Sequence, residues 1–126
     1  MWNKGKMMKR KILVVDDEQD VAKALKVRLK AHGYDVVLAF DSVQAFSMAQ
    51  KEKPNLIILD IMIPGGGGFA VAERLKQSTD TRDIPIVILT GIAGCEERAY
   101  KAGACFYLMK PYDPPILLDA VKKAME

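Results

Sequence analysis

The chain has 126 residues, of which 50% are hydrophobic and 28% are charged, and its net charge at pH 7 is +3. This length suits one domain with one core, and the composition excludes a disordered or fibrous chain. The longest apolar runs, such as "LIIL", are too short to span a bilayer, and the first residues lack the apolar core of a secretory signal.

The positive charge is concentrated at the start of the chain. Five of the first eleven residues are Lys or Arg and none is acidic, so removing these five charges from +3 leaves −2 for the rest. We interpret residues 1–8 as a flexible basic extension and residues 9–126 as the folded domain. A mildly acidic domain is expected to bind neither nucleic acid nor a membrane surface. Cys95 and Cys105 are predicted to be free thiols in a reducing, cytoplasmic compartment.

Short apolar segments alternate with segments of helical period along the chain. Five of them, rich in branched residues, predict strands at residues 11–15, 35–39, 55–59, 84–89 and 105–109. Helices are predicted from Glu18 to Ala31, from Ser42 as the capping residue, from about Gly68, from Glu96 to Ala102, and from Pro114. This alternation predicts an α/β fold with a doubly wound, five-stranded parallel sheet and five helices.

Polar residues follow four of the predicted strands, and the carboxyl ends of parallel strands meet at one edge of a sheet. These residues are Asp16, Asp17, Asp60, Thr90 and Lys110. Like charges about 4 Å apart repel by roughly 4 kcal/mol at an effective dielectric of 20, so the adjacent acids Asp16 and Asp17 require a cation or a distant lysine. Three carboxylates predict a site for Mg²⁺, with Mn²⁺ as an alternative. A carboxylate can also attack phosphorus, while a metal, a lysine and a hydroxyl offset the charge of the phosphoryl group.

The segments "VVDDE", "LIILDIMIPGGGGF", "VILTG" and "YLMKPY" together resemble the receiver domain of bacterial two-component response regulators. The likeness runs from about Lys9 to the end of the chain. It implies a flavodoxin-like sheet with strand order 2-1-3-4-5. It also implies a phosphoacceptor protein, rather than an enzyme, that assists its own phosphorylation and dephosphorylation. The implied partners are a histidine kinase or phosphotransfer protein, then a downstream protein or fused output domain, with a phosphorylation-dependent dimer as a further implied state.

The same resemblance assigns a role to each site residue. It implies that Asp60 is phosphorylated, and that Asp17, Asp60 and the backbone carbonyl of Met62 bind the metal, with Asp16 acting through a metal-bound water. Lys110 and Thr90 would contact the phosphoryl group. Tyr107 matches the aromatic residue that moves inward when the threonine shifts, which remodels the face of helix four, strand five and helix five. The peptide bond between Lys110 and Pro111 is expected to be cis.

Three features of the sequence depart from the family pattern or add to it. The segment "GGGG", Gly65 to Gly68, replaces glycine, an apolar residue, an acid and glycine, and predicts an unusually mobile loop without a capping acid at Gly67. Phe106 is expected to point outward from an edge strand and to contact a protein partner, although coverage by helix four or five is an open alternative. The apolar Met62 and Ile92 border the expected route of the attacking water and predict slow autodephosphorylation.

Rival interpretations make different use of the same residues. An aspartate-nucleophile phosphatase needs a second aspartate two residues after the nucleophile, where this chain has Met62. A P-loop nucleotide site would need a lysine and a hydroxyl beside the glycines. A flavodoxin-like electron carrier would need a hydroxyl-rich phosphate loop after the first strand, where Asp16 and Asp17 would repel a flavin phosphate. A degenerate receiver used only for docking is the remaining alternative.

Overall fold

The computed structural model describes residues 9–126, so the predicted flexible extension at residues 1–8 lies outside the described residues. Strands and helices alternate along the chain as predicted. The strands are β1 (Lys11–Val15), β2 (Asp35–Ala39), β3 (Leu56–Leu59), β4 (Ile86–Thr90) and β5 (Phe106–Met109). The helices are α1 (Gln19–Ala31), α2 (Ser42–Glu52), α3 (Gly67–Gln77), α4 (Glu96–Lys101) and α5 (Pro114–Ala124).

The five strands form one parallel sheet in the order β2-β1-β3-β4-β5, which confirms the predicted fold class and strand order. Its register brings the carboxyl ends of the central strands level with one another. Val15, the last residue of β1, pairs with Ala39 of β2 on one side and with Leu59 of β3 on the other. The polar residues that follow these strands therefore emerge at the same edge of the sheet.

Apolar side chains fill both faces of the sheet, as the continuous apolar strands predict. Alternate residues of β1 enter different layers, because successive side chains of a strand point to opposite faces. Leu13 and Val15 belong to the layer under α2, α3 and α4, whereas Ile12 and Val14 belong to the layer under α1 and α5. These four side chains are at most 1% exposed. At about 25 cal/mol per Å² of buried apolar surface, this burial is the main source of stability.

The start of α2 differs from the sequence-based expectation. Asp41, rather than Ser42, is the capping residue, and its carboxylate accepts a hydrogen bond of 2.7 Å from the backbone N–H of Gln44. A carboxylate at this position also interacts favourably with the helix dipole, so Asp41 takes the role predicted for Ser42. Ser42 is the first residue of the helix, and its hydroxyl is directed elsewhere.

Strand β5 lies at the edge of the sheet, as predicted, but Phe106 does not point away from the protein. Its side chain is half-buried and packs against the apolar layer under α1 and α5. The outward orientation is therefore not observed. The open alternative, coverage by helix five, describes the structure, because the layer that contains Leu117 and Val121 of α5 extends to this strand. Tyr107, the next residue, packs on the opposite face.

The two ends of the described chain lie side by side. The Arg10 guanidinium donates a hydrogen bond of 2.7 Å to the backbone carbonyl of Met125. Cys95 and Cys105 are free thiols, as predicted, and Cys105 is exposed. Among the helices within residues 9–126, none combines the length and the apolar character needed to cross a membrane.

Candidate functional site

Two acids, Asp16 and Asp17, directly follow strand β1 and lie in different environments. The backbone N–H of Asp16 continues the sheet ladder by donating to the carbonyl of Ala39 at 3.1 Å. Asp16 is 4% exposed, and its Oδ1 accepts a hydrogen bond of 2.9 Å from the backbone N–H of Glu18. Asp17 is exposed. The turn after β1 therefore fixes one carboxylate in the protein and leaves the other at its surface.

Strand β3 places Asp60 beside these acids. Its backbone N–H donates to the carbonyl of Val15 at 3.0 Å, which holds it level with the end of β1. Asp60 is 4% exposed, and its Oδ1 accepts a hydrogen bond of 3.1 Å from the backbone N–H of Met62. The carboxylate is thus oriented by the chain that follows it, while its second oxygen remains available to other groups.

Lys110, which follows β5, supplies the positive charge of the site. Its backbone N–H donates to the carbonyl of Thr90 at 2.8 Å. Its Nζ lies 2.6 Å from Asp16 Oδ2 and 2.8 Å from Asp60 Oδ2, distances typical of strong charge-assisted hydrogen bonds. The peptide bond between Lys110 and Pro111 is cis, as expected.

Burial and charge pairing oppose each other in this cluster. Burial raises the pKa of the Asp16 carboxyl, and the hydrogen bonds from Lys110 and from the Glu18 backbone counteract only part of that rise. Burial lowers the pKa of Lys110, but its hydrogen bonds to Asp16 and Asp60 outweigh this effect and hold the pKa above its ordinary value. The ammonium form of Lys110 is therefore strongly favoured at neutral pH.

The carboxylates fit a small divalent cation. One oxygen from each of Asp16, Asp17 and Asp60 can be chosen so that all three lie within 4.8 Å of one another. Glu18 Oε1 lies 3.5 Å from Lys110 Nζ, so the site holds four carboxyl groups and one ammonium, which contacts Asp16, Asp60 and Glu18. Local negative charge therefore exceeds positive charge, and hard oxygen ligands of this kind suit Mg²⁺ or Mn²⁺.

Thr90 and Tyr107 lie on adjacent strands next to this cluster. Thr90 is fully buried, and its hydroxyl oxygen accepts a long hydrogen bond of 3.4 Å from the backbone N–H of Ile92. The Tyr107 hydroxyl donates to the backbone carbonyl of Ile92, and burial raises the pKa of that phenol. Both side chains therefore contact the same short segment after β4. Ile92 is thus hydrogen-bonded both to Thr90 of β4 and to Tyr107 of the edge strand β5.

Sequence reasoning missed two residues near the site. Glu18 supplies the backbone N–H that orients Asp16, and its carboxylate approaches Lys110. Its position directly after the two aspartates was the available signal. Ser42 donates its hydroxyl hydrogen to the carbonyl of Gly65, in the loop that follows Asp60. No local sequence pattern connects residues 23 positions apart, so that contact depends on the fold.

Comparisons with known proteins agree with this geometry. A family model described as "Response regulator receiver domain" matches residues 12–122. The response regulator PleD of Caulobacter vibrioides is 38% identical over 117 residues, which are 91% of this chain and 26% of that protein. A probable transcriptional regulator, ycf27, of Cyanophora paradoxa is 41% identical over 119 residues, covering 93% of this chain and 48% of that protein. The chain thus spans about half or less of the length of these curated relatives.

Solved structures show the same similarity. The chemotaxis response regulator CheY4 of Vibrio cholerae has a TM-score of 0.86 and 28% identity, covering 93% of this chain and 99% of that one. The receiver domain of the sensor histidine kinase PA1611 from Pseudomonas aeruginosa has a TM-score of 0.85 and 26% identity, covering 94% and 98%. That structure has a magnesium ion coordinated in its active site cleft.

Proposed function

This chain belongs to the response regulator receiver family of two-component signalling, and from that membership we propose that Asp60 accepts a phosphoryl group from a partner phosphohistidine. The observation that supports this most directly is the buried Asp60 carboxylate, in contact with Lys110 and clustered with two further acids. In the transfer, the P–N bond of the phosphohistidine breaks and an O–P bond to Asp60 forms. The histidine is released as the leaving group and takes up a proton.

We assign the acidic residues to metal binding. Asp17, Asp60 and the backbone carbonyl of Met62 would bind Mg²⁺, or Mn²⁺, and Asp16 would act through a metal-bound water. When bound, the ion would offset the negative charge of the phosphoryl oxygens. Asp16 Oδ2 also lies 2.6 Å from the Lys110 ammonium and holds it beside Asp60, so Asp16 contributes to the site through the lysine as well.

Lys110 and Thr90 would stabilise the transferred group. The Lys110 ammonium already contacts Asp60 Oδ2 and would exchange part of its carboxylate contacts for a phosphoryl oxygen. The Thr90 hydroxyl makes only a long contact with the Ile92 backbone, so little is lost when it turns toward a phosphoryl oxygen. Because the Tyr107 hydroxyl donates to the backbone carbonyl of Ile92, the same residue whose N–H contacts Thr90, movement of this segment would also release Tyr107.

These movements would change the face formed by α4, β5 and α5. Phosphorylation replaces the single charge of the Asp60 carboxylate with about two negative charges on the phosphoryl group, and it adds strong acceptor oxygens. It favours the conformation in which Thr90 and Lys110 contact these oxygens. The partners we propose are a histidine kinase or phosphotransfer protein as donor, and a downstream protein or fused output domain as receptor of the signal. A phosphorylation-dependent dimer is a further outcome of the same change. The role of Phe106 as a partner contact stays a prediction.

The test is phosphoryl uptake from acetyl phosphate with Mg²⁺, measured by mass spectrometry of the intact protein and of its peptides. We expect one added phosphoryl group on Asp60, none in Asp60→Asn, and none after Mg²⁺ is chelated. Asp80→Asn is the matched control, because Asp80 is an exposed acid outside the cluster. Uptake by Asp60→Asn equal to that of the parent would contradict the proposal, and an inert parent would favour a receiver that only docks.

A further inference from the structure

The loop between β3 and α3 has two different halves: Ile61 and Ile63 in the first half are buried in the core, whereas the glycines of the second half have no side chains that could hold them in place. The loop begins directly after Asp60 and leads into four consecutive glycines, Gly65 to Gly68, of which Gly67 and Gly68 already belong to α3. Three of them, Gly65, Gly66 and Gly67, have φ values of +90°, +117° and +86°, a backbone region that other residues rarely adopt. Glycine loses more conformational freedom on folding than any other residue, so this loop needs contacts from elsewhere in the chain to stay ordered.

Ser42 provides two such contacts from the start of α2. Its backbone N–H donates to the carbonyl of Pro64 at 2.9 Å, and its hydroxyl donates to the carbonyl of Gly65. Ser42 is 8% exposed. Because Asp41 already caps α2, the Ser42 hydroxyl is available for the loop.

The contact and the positive φ both favour glycine at position 65. A Cβ atom at Gly65 would overlap the Ser42 hydroxyl, so the serine and the glycine fit each other. Besides the buried side chains of Ile61 and Ile63, the remaining anchors are backbone hydrogen bonds close to Asp60. The backbone N–H of Gly68 donates to the carbonyl of Ile61 at 2.8 Å, and the backbone N–H of Met62 donates to Asp60 Oδ1 at 3.1 Å. Residues 61–64 are therefore held at one end by Asp60 and Ile61 and at the other by Ser42.

We propose that Ser42 is a positioning residue for the Asp60 site, because its two hydrogen bonds fix the Pro64–Gly65 turn and thereby the backbone of Met62. This inference rests on the proposed function, in which the Met62 carbonyl is a metal ligand. Ser42 contacts neither the metal nor the phosphoryl group, and it acts only through the loop.

The test compares Ser42→Ala, which removes the hydroxyl, with Ser42→Thr, which keeps it. Loss of one ordinary hydrogen bond corresponds to a change of about threefold to tenfold in an equilibrium constant. In Ser42→Ala we expect amide exchange at Met62, Ile63 and Gly68 to accelerate by that factor. We also expect the Mg²⁺ dissociation constant, measured by NMR titration, to rise by at least about twofold, because the ion must then order the loop. Ser42→Thr should restore both values toward those of the parent.

Thr81→Val is the matched control. The Thr81 hydroxyl is buried and donates to the carbonyl of Leu75 at 2.7 Å, so this variant loses the same kind of bond away from the loop. It should lower stability without changing the Mg²⁺ dissociation constant. If Ser42→Ala binds Mg²⁺ as tightly as a parent that takes up phosphoryl normally, the positioning role is wrong and the proposed function stands. A parent that neither binds Mg²⁺ nor takes up phosphoryl would overturn both.

Discussion

Asp16 and Asp17 are adjacent in the chain, but the fold gives them different surroundings. Asp16 is buried and paired with Lys110, which lies 94 residues away, whereas Asp17 is exposed. The repulsion between the two carboxylates is reduced because an ammonium contacts one and solvent surrounds the other. The distant lysine was one of two explanations open from the sequence, and it leaves enough excess negative charge for a metal ion as well.

Replacing Lys110 by methionine would test how the lysine ammonium and a bound Mg²⁺ share the carboxylates of Asp16 and Asp60. Lys110→Met should lower the free energy of unfolding without metal by about 3 kcal/mol, since it leaves the buried Asp16 and Asp60 carboxylates without their partner. Mg²⁺ should then raise the melting temperature of the variant more than that of the parent, because it neutralises the same groups. Calorimetry with and without Mg²⁺ measures both effects.

Lys101→Met is the control for this substitution. Its ion pair with Glu97 at 3.1 Å is largely exposed, so its loss should cost less than about 1 kcal/mol. Equal destabilisation by the two substitutions would show that the Lys110 contacts contribute no special stability.

Met62 offers a test of phosphoryl lifetime. Its side chain is 62% exposed beside Asp60 and provides no hydrogen bond to an attacking water. We expect slow autodephosphorylation of the parent, and a several-fold shorter half-life in Met62→Asn, whose amide can orient that water. The decay of phosphorylated protein after removal of the donor measures this. Val27→Asn, an apolar-to-amide change at a 70% exposed position of α1, should leave the half-life unchanged. A half-life of seconds in the parent would contradict the expectation.

At the scale of elements, the β3–α3 connection is the tightest junction at the site. Gly68, the second residue of α3, packs directly on the backbone that carries Asp60. A methyl group there would lie 2.3 Å from the Asp60 carbonyl oxygen and 2.8 Å from the Cα of Ile61. Because both atoms belong to the backbone, the contact cannot be relieved by a change of rotamer.

Gly68→Ala should therefore destabilise the protein by about 2 kcal/mol or more, as expected when a side chain is forced into a closely packed position. Gly91→Ala is the comparison, since a Cβ at Gly91 meets no atom within 4 Å and its φ is not positive. Denaturant unfolding of the two variants separates steric overlap from the general effect of replacing glycine. Similar midpoints for both would show that the loop can move away from β3.

The elements were predictable because their signals are local. Continuous apolar strands and intervening helical periods depend on residues close in sequence. The strand order followed from the family resemblance, because parallel winding alone also allows other orders. The capping of α2 was mispredicted because Asp41 and Ser42 compete for one position and the acid interacts better with the helix dipole. The sequence left the orientation of Phe106 open between outward and covered by a helix, because it depends on how far the α5 layer extends, which the residues of β5 do not indicate.

The candidate site was predictable for a related reason. Parallel strands align their carboxyl ends, so residues following each strand are brought together by the topology, and Asp16, Asp60 and Lys110 do make contact. Contacts that the winding does not dictate were not predictable. The hydrogen bond from Ser42 to Gly65 joins a helix start to a loop, and only the packed positions of α2 and α3 reveal it.

At the scale of the whole molecule, metal binding should stabilise the entire domain, because the acids of the site follow different strands of one sheet. A ligand that binds only the folded state adds about 2.7 kcal/mol when present at 100 times its dissociation constant. We expect Mg²⁺ to raise the free energy of unfolding of the parent in this way and to have a much smaller effect on Asp17→Asn. Denaturant titrations at several Mg²⁺ concentrations measure this.

Asp20→Asn serves as the control for that titration, since Asp20 is an exposed acid of α1 outside the three-carboxylate cluster. Its Mg²⁺-dependent stabilisation should equal that of the parent. Identical stabilisation of Asp17→Asn and the parent would mean that the ion binds elsewhere or without this carboxylate.

The hydrogen bond between Arg10 and the Met125 carbonyl has a consequence for engineering. It brings the ends of the folded region together, while Asp60 lies at the carboxyl edge of the sheet. A short linker could therefore close the polypeptide, and new ends could be opened in an exposed turn, without altering the sheet order. The same proximity would allow the domain to be inserted into a surface loop of a host protein. Any rearrangement caused by phosphorylation would then reach the host through two attachment points.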